Sequence, residues 1–371
     1  MKSANSWLRG LLRAGKKQQR TASRALTILI APPKAKPKPK PKPKPKATPA
    51  LRIVPRVAPA APAIVARAPA RPALQAAGGK WLASHFSGVK RMSYWLYLPD
   101  RIAPPKGLPL IVMLHGCEQS ATMFAQGTRM NQHAEKAGFA VLYPQQSVSS
   151  HPRRCWKWYE RATQQGGGDA ALIVGVLNKV LDSYPIDRSR VFICGMSAGA
   201  GMAHIVALNH PDLFAALGLH SGPSYGAGHS TVGALGVMQH GAGLRVDSAI
   251  DEVLRKHGAP GTLPTMLIQG DKDEVVRPVN QAQLARQARR FSALGDEAAT
   301  ASLKPGGRRV LAHRLHDVYR GRKLMLRVAE VADLGHAWSG GDERVAYHSG
   351  PGPDASKMLL SFFSKHRRPA S

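Results

Sequence analysis

Four groups of residues in this sequence have the types and spacing to carry acyl transfer through a serine. Gly195-Met196-Ser197-Ala198-Gly199 is a Gly-x-Ser-x-Gly motif. Glycines flanking a serine let a strand turn sharply into a helix, so that the hydroxyl projects from the bend. That hydroxyl is a weak nucleophile until a histidine takes its proton, and the imidazole needs a carboxylate to fix its tautomer. Later in the chain, in the order Ser, Asp, His, stand Asp271-Lys272-Asp273 and Gly335-His336-Ala337-Trp338. Asp273 is the expected acid, because three residues beyond Gly270 it can reach back to an imidazole, whereas Asp271 is placed to brace the turn. His336 is the expected base among 15 histidines, since Gly335, Gly340 and Gly341 suit a loop that presents a ring tightly. The tetrahedral intermediate also needs donors for its oxyanion. The N–H of Ala198, just after the nucleophile, is one candidate, and the N–H of Cys117 in His115-Gly116-Cys117 is the other.

These residues need elements that bring them together. Val191 to Cys194 reads as a buried strand ahead of the elbow, and Met202 to Leu208 as the helix behind it. The near-continuous apolar run Leu108 to Leu114, ending at His115, is what a strand covered on both faces looks like. Phe139 to Tyr143, stopped by Pro144, Phe214 to His220 and Thr265 to Gln269 are further expected strands, with a pair of short edge strands over Phe86 to Leu98. Helical patterns cover Thr128 to Ala137, Asp169 to Tyr184, Gln281 to Leu294 and Asp354 to Phe363. Val310 to Val331 reads as a hairpin turning at Gly321. Strands alternating with helices predict an α/β fold, a doubly wound and mostly parallel sheet, over residues 80–371.

The 371 residues are 43% hydrophobic, enough for a sizeable core, and carry a net charge of +31. Residues 1 to 72 hold 18 Lys or Arg and no Asp or Glu, which leaves +13 for the rest. Residues 1–30 read as a basic amphipathic helix, with Trp7, Leu8, Leu11, Leu12, Ala25, Leu26 and Leu29 apolar between lysines and arginines. Its expected roles are docking on its own domain or adsorption to an apolar or anionic surface. Residues 31–79 read as a linker. Lys at every even position from 34 to 46, mostly separated by Pro, favours a stiff, solvated spacer within a disordered basic tail. Nucleic acid is the alternative partner for these lysines, though no aromatic residue lies among them to stack on bases. The short apolar run Ala25 to Ala31 leads into Pro32-Pro33-Lys34 rather than a cleavage site, so the chain is expected to be cytoplasmic, with secretion as the alternative. Three cysteines are too few for a disulfide scaffold, show no zinc-like spacing and suggest a reducing compartment; no cofactor motif is present, and no run reaches the roughly 18 apolar residues of a membrane span.

Several motifs together resemble the polyhydroxybutyrate (PHB) depolymerase family of esterases. They are His115-Gly116-Cys117-Glu118-Gln119-Ser120, Cys155-Trp156-Lys157-Trp158, the elbow, Gly335 to Gly341, and Gly352-Pro353-Asp354-Ala355-Ser356. The resemblance spans residues 80 to about 365. It implies an α/β-hydrolase fold and a serine esterase acting on short-chain polyhydroxyalkanoate esters. The basic tail departs from the family's pattern, and its expected role is to hold the enzyme at a granule surface. Acetylxylan and feruloyl esterases share much of the pattern and give the alternative substrates. A third reading makes the protein chiefly a granule or DNA tether. The family often has Asn where this chain has Lys157. Trp156 and Trp158 would suit an apolar wall for a polyester chain, and core packing is their alternative role. Cys117 and Cys155 would pair in an oxidising compartment.

Overall fold

The computed structural model describes residues 78–88, 90–258, 262–295 and 299–369. The helix expected over 1–30 and nearly all of the linker expected over 31–79 lie outside them.

Leu108–Leu114 (β3) is buried throughout, and its residues alternate between two cores. Leu110, Val112 and Leu114 face one, Ile111 and Met113 the other. Helices therefore cover both faces of the sheet. Gly168–Ser183 (α4), Ala198–Asn209 (α5) and Val279–Phe291 (α8) pack on the first face. Ala121–Thr128 (α1), Met130–Ala137 (α2) and Ala355–Phe363 (α9) pack on the second. A short helix, Arg161–Gln164 (α3), precedes α4.

The remaining strands are Lys80–Ser87 (β1), Arg91–Leu98 (β2), Ala140–Gln145 (β4), Ile186–Met196 (β5), Ala216–His220 (β6), Thr265–Gly270 (β7), Thr300–Lys304 (β8), His313–Arg320 (β9) and Lys323–Val331 (β10). They form one ten-stranded sheet in the order β1-β2-β4-β3-β5-β6-β7-β10-β9-β8. The six central strands, β4 to β10, are parallel, and an antiparallel pair extends each edge. Chain order reverses around β3, with β4 on one side of it and β5 on the other. Loops at the carboxyl ends of β3 and β5 are thereby neighbours, as Leu114 opposite Gly195 shows. The loops after β7 and β10 are neighbours too, with Gly270 opposite Val331.

Several elements depart from the sequence reading, among them α1, α3 and β8, which it did not expect. β4 continues through Pro144 to Gln145. Pairing with β3 ends at Leu142, and Pro144 lies opposite Tyr94 of β2 alone, so its missing N–H breaks no ladder on the β3 side. Two unexpected helices, Thr231–His240 (α6) and Arg245–His257 (α7), fill the stretch after β6. α7 buries Val246, Ala249, Ile250 and Val253, a helical spacing that was readable in the sequence. Among the described residues, no helix is long and apolar enough to cross a membrane.

Candidate active site

Ser197 lies between β5 and α5 with φ 55° and ψ −124°. This left-handed conformation costs a non-glycine residue about 1–3 kcal/mol and persists only where its surroundings enforce it. Here Ser197 N–H donates to His220 O at 2.9 Å, and the glycines on both sides have no room for a side chain. A Cβ on Gly199 would lie 2.1 Å from Leu114 O, and one on Gly195 would lie 2.5 Å from the Gly199 backbone. Both close approaches are backbone to backbone, so no rotamer change relieves them.

Asp273 is buried and both of its oxygens are engaged. Oδ1 accepts N–H bonds from Val275 and Val276 at 3.0 and 2.9 Å. Oδ2 faces His336 Nδ1 at 2.8 Å and also accepts from Gln269 Nε2 at 3.2 Å. A carboxylate held this way fixes the proton of His336 on Nδ1 and leaves Nε2 as the basic edge. Asp271 stands apart from this pair and accepts the N–H of Asp333 at 2.8 Å. Ser197 and His336 open onto one pocket, a narrow cavity of about 60 Å³.

The loop after β3 forms the wall facing the elbow. Gly116 N–H donates to Gln119 Oε1 at 2.8 Å and Glu118 N–H to Arg153 O at 2.6 Å. Among the described residues, the Cys117 N–H meets no acceptor, which leaves it as the free donor of the three. Its peptide is oriented by His115. That ring is fully buried, its Nε2 accepts the Gln146 N–H at 3.2 Å, and its Nδ1 then donates to Gly116 O at 2.8 Å. The Gly116 carbonyl and the Cys117 N–H belong to one planar peptide, so holding the first fixes the direction of the second. Burial lowers the His115 pKa to about 4, which keeps the ring neutral. The Ala198 N–H occupies the first position of α5, where a helix offers its own amides no acceptor.

Trp156 and Trp158 are both buried and both line the pocket, so the wall and core roles coincide in them. Trp156 Nε1 donates to His115 O at 2.9 Å, and Asp169 accepts from Lys157 N–H and Gln146 Nε2, holding the segment in place. Lys157 pairs with Glu160 at 3.3 Å. Cys117 and Cys155 form a disulfide, which joins the β3 loop to the tryptophan segment, and Cys194 is free and buried. Breaking that disulfide is expected to lower kcat on a simple ester about tenfold or more with a smaller change in KM, because it loosens a backbone donor. For a sequence separation of 38 it should also cost about 4 kcal/mol of stability. Kinetics and urea unfolding of the Cys117→Ser/Cys155→Ser double variant check both effects.

His220 is a site residue that the sequence reading missed. At the end of β6 it lies between the strands carrying Ser197 and Asp273. Its carbonyl takes the Ser197 N–H, its Nε2 accepts the Ser339 N–H at 3.2 Å, and its ring stacks on Trp338 with centroids 5.0 Å apart. One buried ring thus connects the elbow to the loop that bears His336. Its place at the end of an apolar strand before Ser221-Gly222 marks it as a strand-end residue, but its role depends on the strand order.

A family model described as Esterase PHB depolymerase matches residues 92–310. Poly(3-hydroxyalkanoate) depolymerase C of Paucimonas lemoignei is 30% identical over 237 residues, covering 62% of this chain and 55% of that protein. Probable acetylxylan esterase A of Aspergillus fumigatus is 34% identical over 139 residues, covering 37% of this chain and 36% of that protein. The chain therefore spans about half, or less, of the length of these two relatives. Among solved structures, an acetyl xylan esterase from Aspergillus awamori is similar with a TM-score of 0.61 at 18% identity, over 77% of this chain and 98% of that one. That likeness is one of fold, and it agrees with the expected α/β-hydrolase architecture.

Proposed function

The chain belongs to the esterase PHB depolymerase family, and from that premise we propose that it is a serine esterase hydrolysing poly(3-hydroxybutyrate) or its short oligomers through an acyl-enzyme. The observation that carries the reading is the 2.8 Å contact of His336 with buried Asp273, with His336 and Ser197 lining one narrow pocket walled by Trp156 and Trp158. In this reading His336 takes the Ser197 proton as Oγ bonds to the ester carbon, and the N–H groups of Cys117 and Ala198 hold the oxyanion. Collapse of the intermediate breaks the carbon–oxygen bond and the proton passes from His336 to the departing alkoxide. Water, deprotonated by the same imidazole, then releases the acid and restores Ser197.

A second reading, a carbohydrate esterase, draws support from the acetylxylan esterase relative. A narrow pocket receives an acetyl group as readily as a hydroxybutyryl group, with the sugar remaining outside. Turnover on amorphous polyhydroxybutyrate, acetylated xylan and a feruloyl ester separates the readings. Clearing of the polyester with at most slight action on the carbohydrate esters is the expected result, and activity confined to acetylated xylan would overturn it.

For the tail, the proposal is that the 18 positive charges of residues 1 to 72 hold the enzyme at a granule surface. Removing residues 1–72 should release the protein from granules while esterase turnover persists. A truncated enzyme that still binds granules would sink this idea. DNA binding that falls steeply with added salt would instead support the tether reading. As to compartment, the Cys117–Cys155 bond supports the secreted alternative, because disulfides persist where thiols are not kept reduced.

A further inference from the structure

Most of the pocket wall is apolar, and most of its polar groups are already engaged. Gln119 is held by the Gly116 N–H, Tyr347 donates to Glu118, and His336 is turned toward Asp273. His151 is different. It lines the same pocket and is half-buried. Its Nδ1 accepts two backbone N–H groups, Arg153 at 3.2 Å and Cys155 at 3.4 Å. A ring nitrogen that accepts carries no proton, so the imidazole proton resides on Nε2, which has no hydrogen-bond partner among the described residues. The Nδ1 edge is turned to the backbone of the tryptophan segment, and the opposite edge remains for the pocket.

We propose that His151 is a substrate-binding residue whose Nε2–H donates to an oxygen that the substrate carries beyond the scissile ester. The oxygen is either the terminal hydroxyl, where the acyl side is the chain's first unit, or an ester carbonyl on the alcohol side, which the chain repeats; a plain fatty ester lacks both. This rests on the serine-esterase reading above and adds to it a basis for selecting hydroxyalkanoate units. Burial, with the charges of Lys157 and Arg153 nearby, holds the ring below the usual histidine range, so it stays neutral with its proton fixed on one atom. The donor is pre-oriented, because the Arg153 and Cys155 amides are held in turn by the Glu118–Arg153 ion pair and the disulfide.

Three soluble esters test this: butyl butyrate with no further oxygen, butyl 3-hydroxybutyrate with one on the acyl side, and methyl 3-(butyryloxy)butyrate with one on the alcohol side. The wild-type enzyme should favour one of the oxygenated esters over butyl butyrate by about tenfold in kcat/KM, the value of one neutral hydrogen bond in a dry site. His151→Asn keeps an acceptor near the Nδ1 position for the loop amides and removes the donor, so that ratio should fall toward one. His151→Gln, whose amide nitrogen falls near the Nε2 position, should regain part of it. A wild-type ratio near one for both oxygenated esters, or a ratio that survives His151→Asn, overturns the proposal. Polyester clearing by the wild type reads the broader assignment separately. Clearing without a preference rejects His151 alone, whereas a preference without clearing rejects the polymer and retains His151.

Discussion

Ser197→Ala is expected to lower kcat on a p-nitrophenyl acyl ester by roughly 10,000- to 1,000,000-fold, with KM changing little. The size follows from how the site is assembled. Ser197 supplies the only protein atom in the proposed mechanism that bonds to carbon, and the proton transfers of His336, oriented by Asp273, serve the covalent route that it opens. Their losses should therefore not add, and Ser197→Ala/His336→Ala should be no slower than either single variant. Asp273→Asn should cost roughly 10,000-fold although its shape is conserved, because an amide that donates toward Nδ1 favours the wrong tautomer of His336. Residual activity above the water rate should survive in all of them, since the Cys117 and Ala198 amides remain. Purified Ser197→Ala with full activity, checked by mass spectrometry to exclude wild-type carry-over, would remove the mechanism altogether.

Much of this arrangement was legible before any coordinates, for a physical reason. Parallel strands buried on both faces read as apolar runs, and the fold places their carboxyl ends together, so Ser197, Asp273 and His336 could be picked as residues just past such runs. The elbow glycines were legible because the close approach of Leu114 O to Gly199 forbids any side chain there. His220 was not legible. Its role comes from being the middle strand end between two others, a fact of strand order that no local pattern carries. His115 and His151 were obscured differently. Each works through a tautomer set by backbone amides from loops 31 residues away and two to four residues away, and sequence shows the ring without its partners. The Cys117–Cys155 bond needed the β3 loop and the tryptophan segment to be seen side by side.

Stability should fall steeply as pH drops below about 6.5, earlier than carboxylate titration alone would bring it down. Burial lowers the pKa of His115 and His366 to about 4 and of His204 and His220 to about 3, from an ordinary value of 6.5. Each folded-state pKa lies below the unfolded one, so between the two values the unfolded chain binds the extra proton. Their contribution is intact above pH 6.5 and is lost progressively as pH falls toward 3–4. Each unpaired proton costs up to about 1.4 kcal/mol per pH unit, so over the roughly 1.5 units from pH 6.5 to 5 four such rings remove on the order of 8 kcal/mol, against a total stability of about 5–15 kcal/mol. Little is placed to receive these protons: among the described residues, neither ring nitrogen of His366 has a hydrogen-bond partner, nor has Nδ1 of His204. Asp342, hydrogen-bonded to Arg344 with its pKa lowered to about 2, loses its contribution only at far lower pH and so does not set the onset. Urea unfolding at pH 7.5 and 5.0 measures the effect, and His366→Phe should shrink the difference by the share of one histidine. Equal stability at the two pH values would mean that these rings are hydrated in solution, and the packing of α9 against His366 and of α5 around His204 would then need revision.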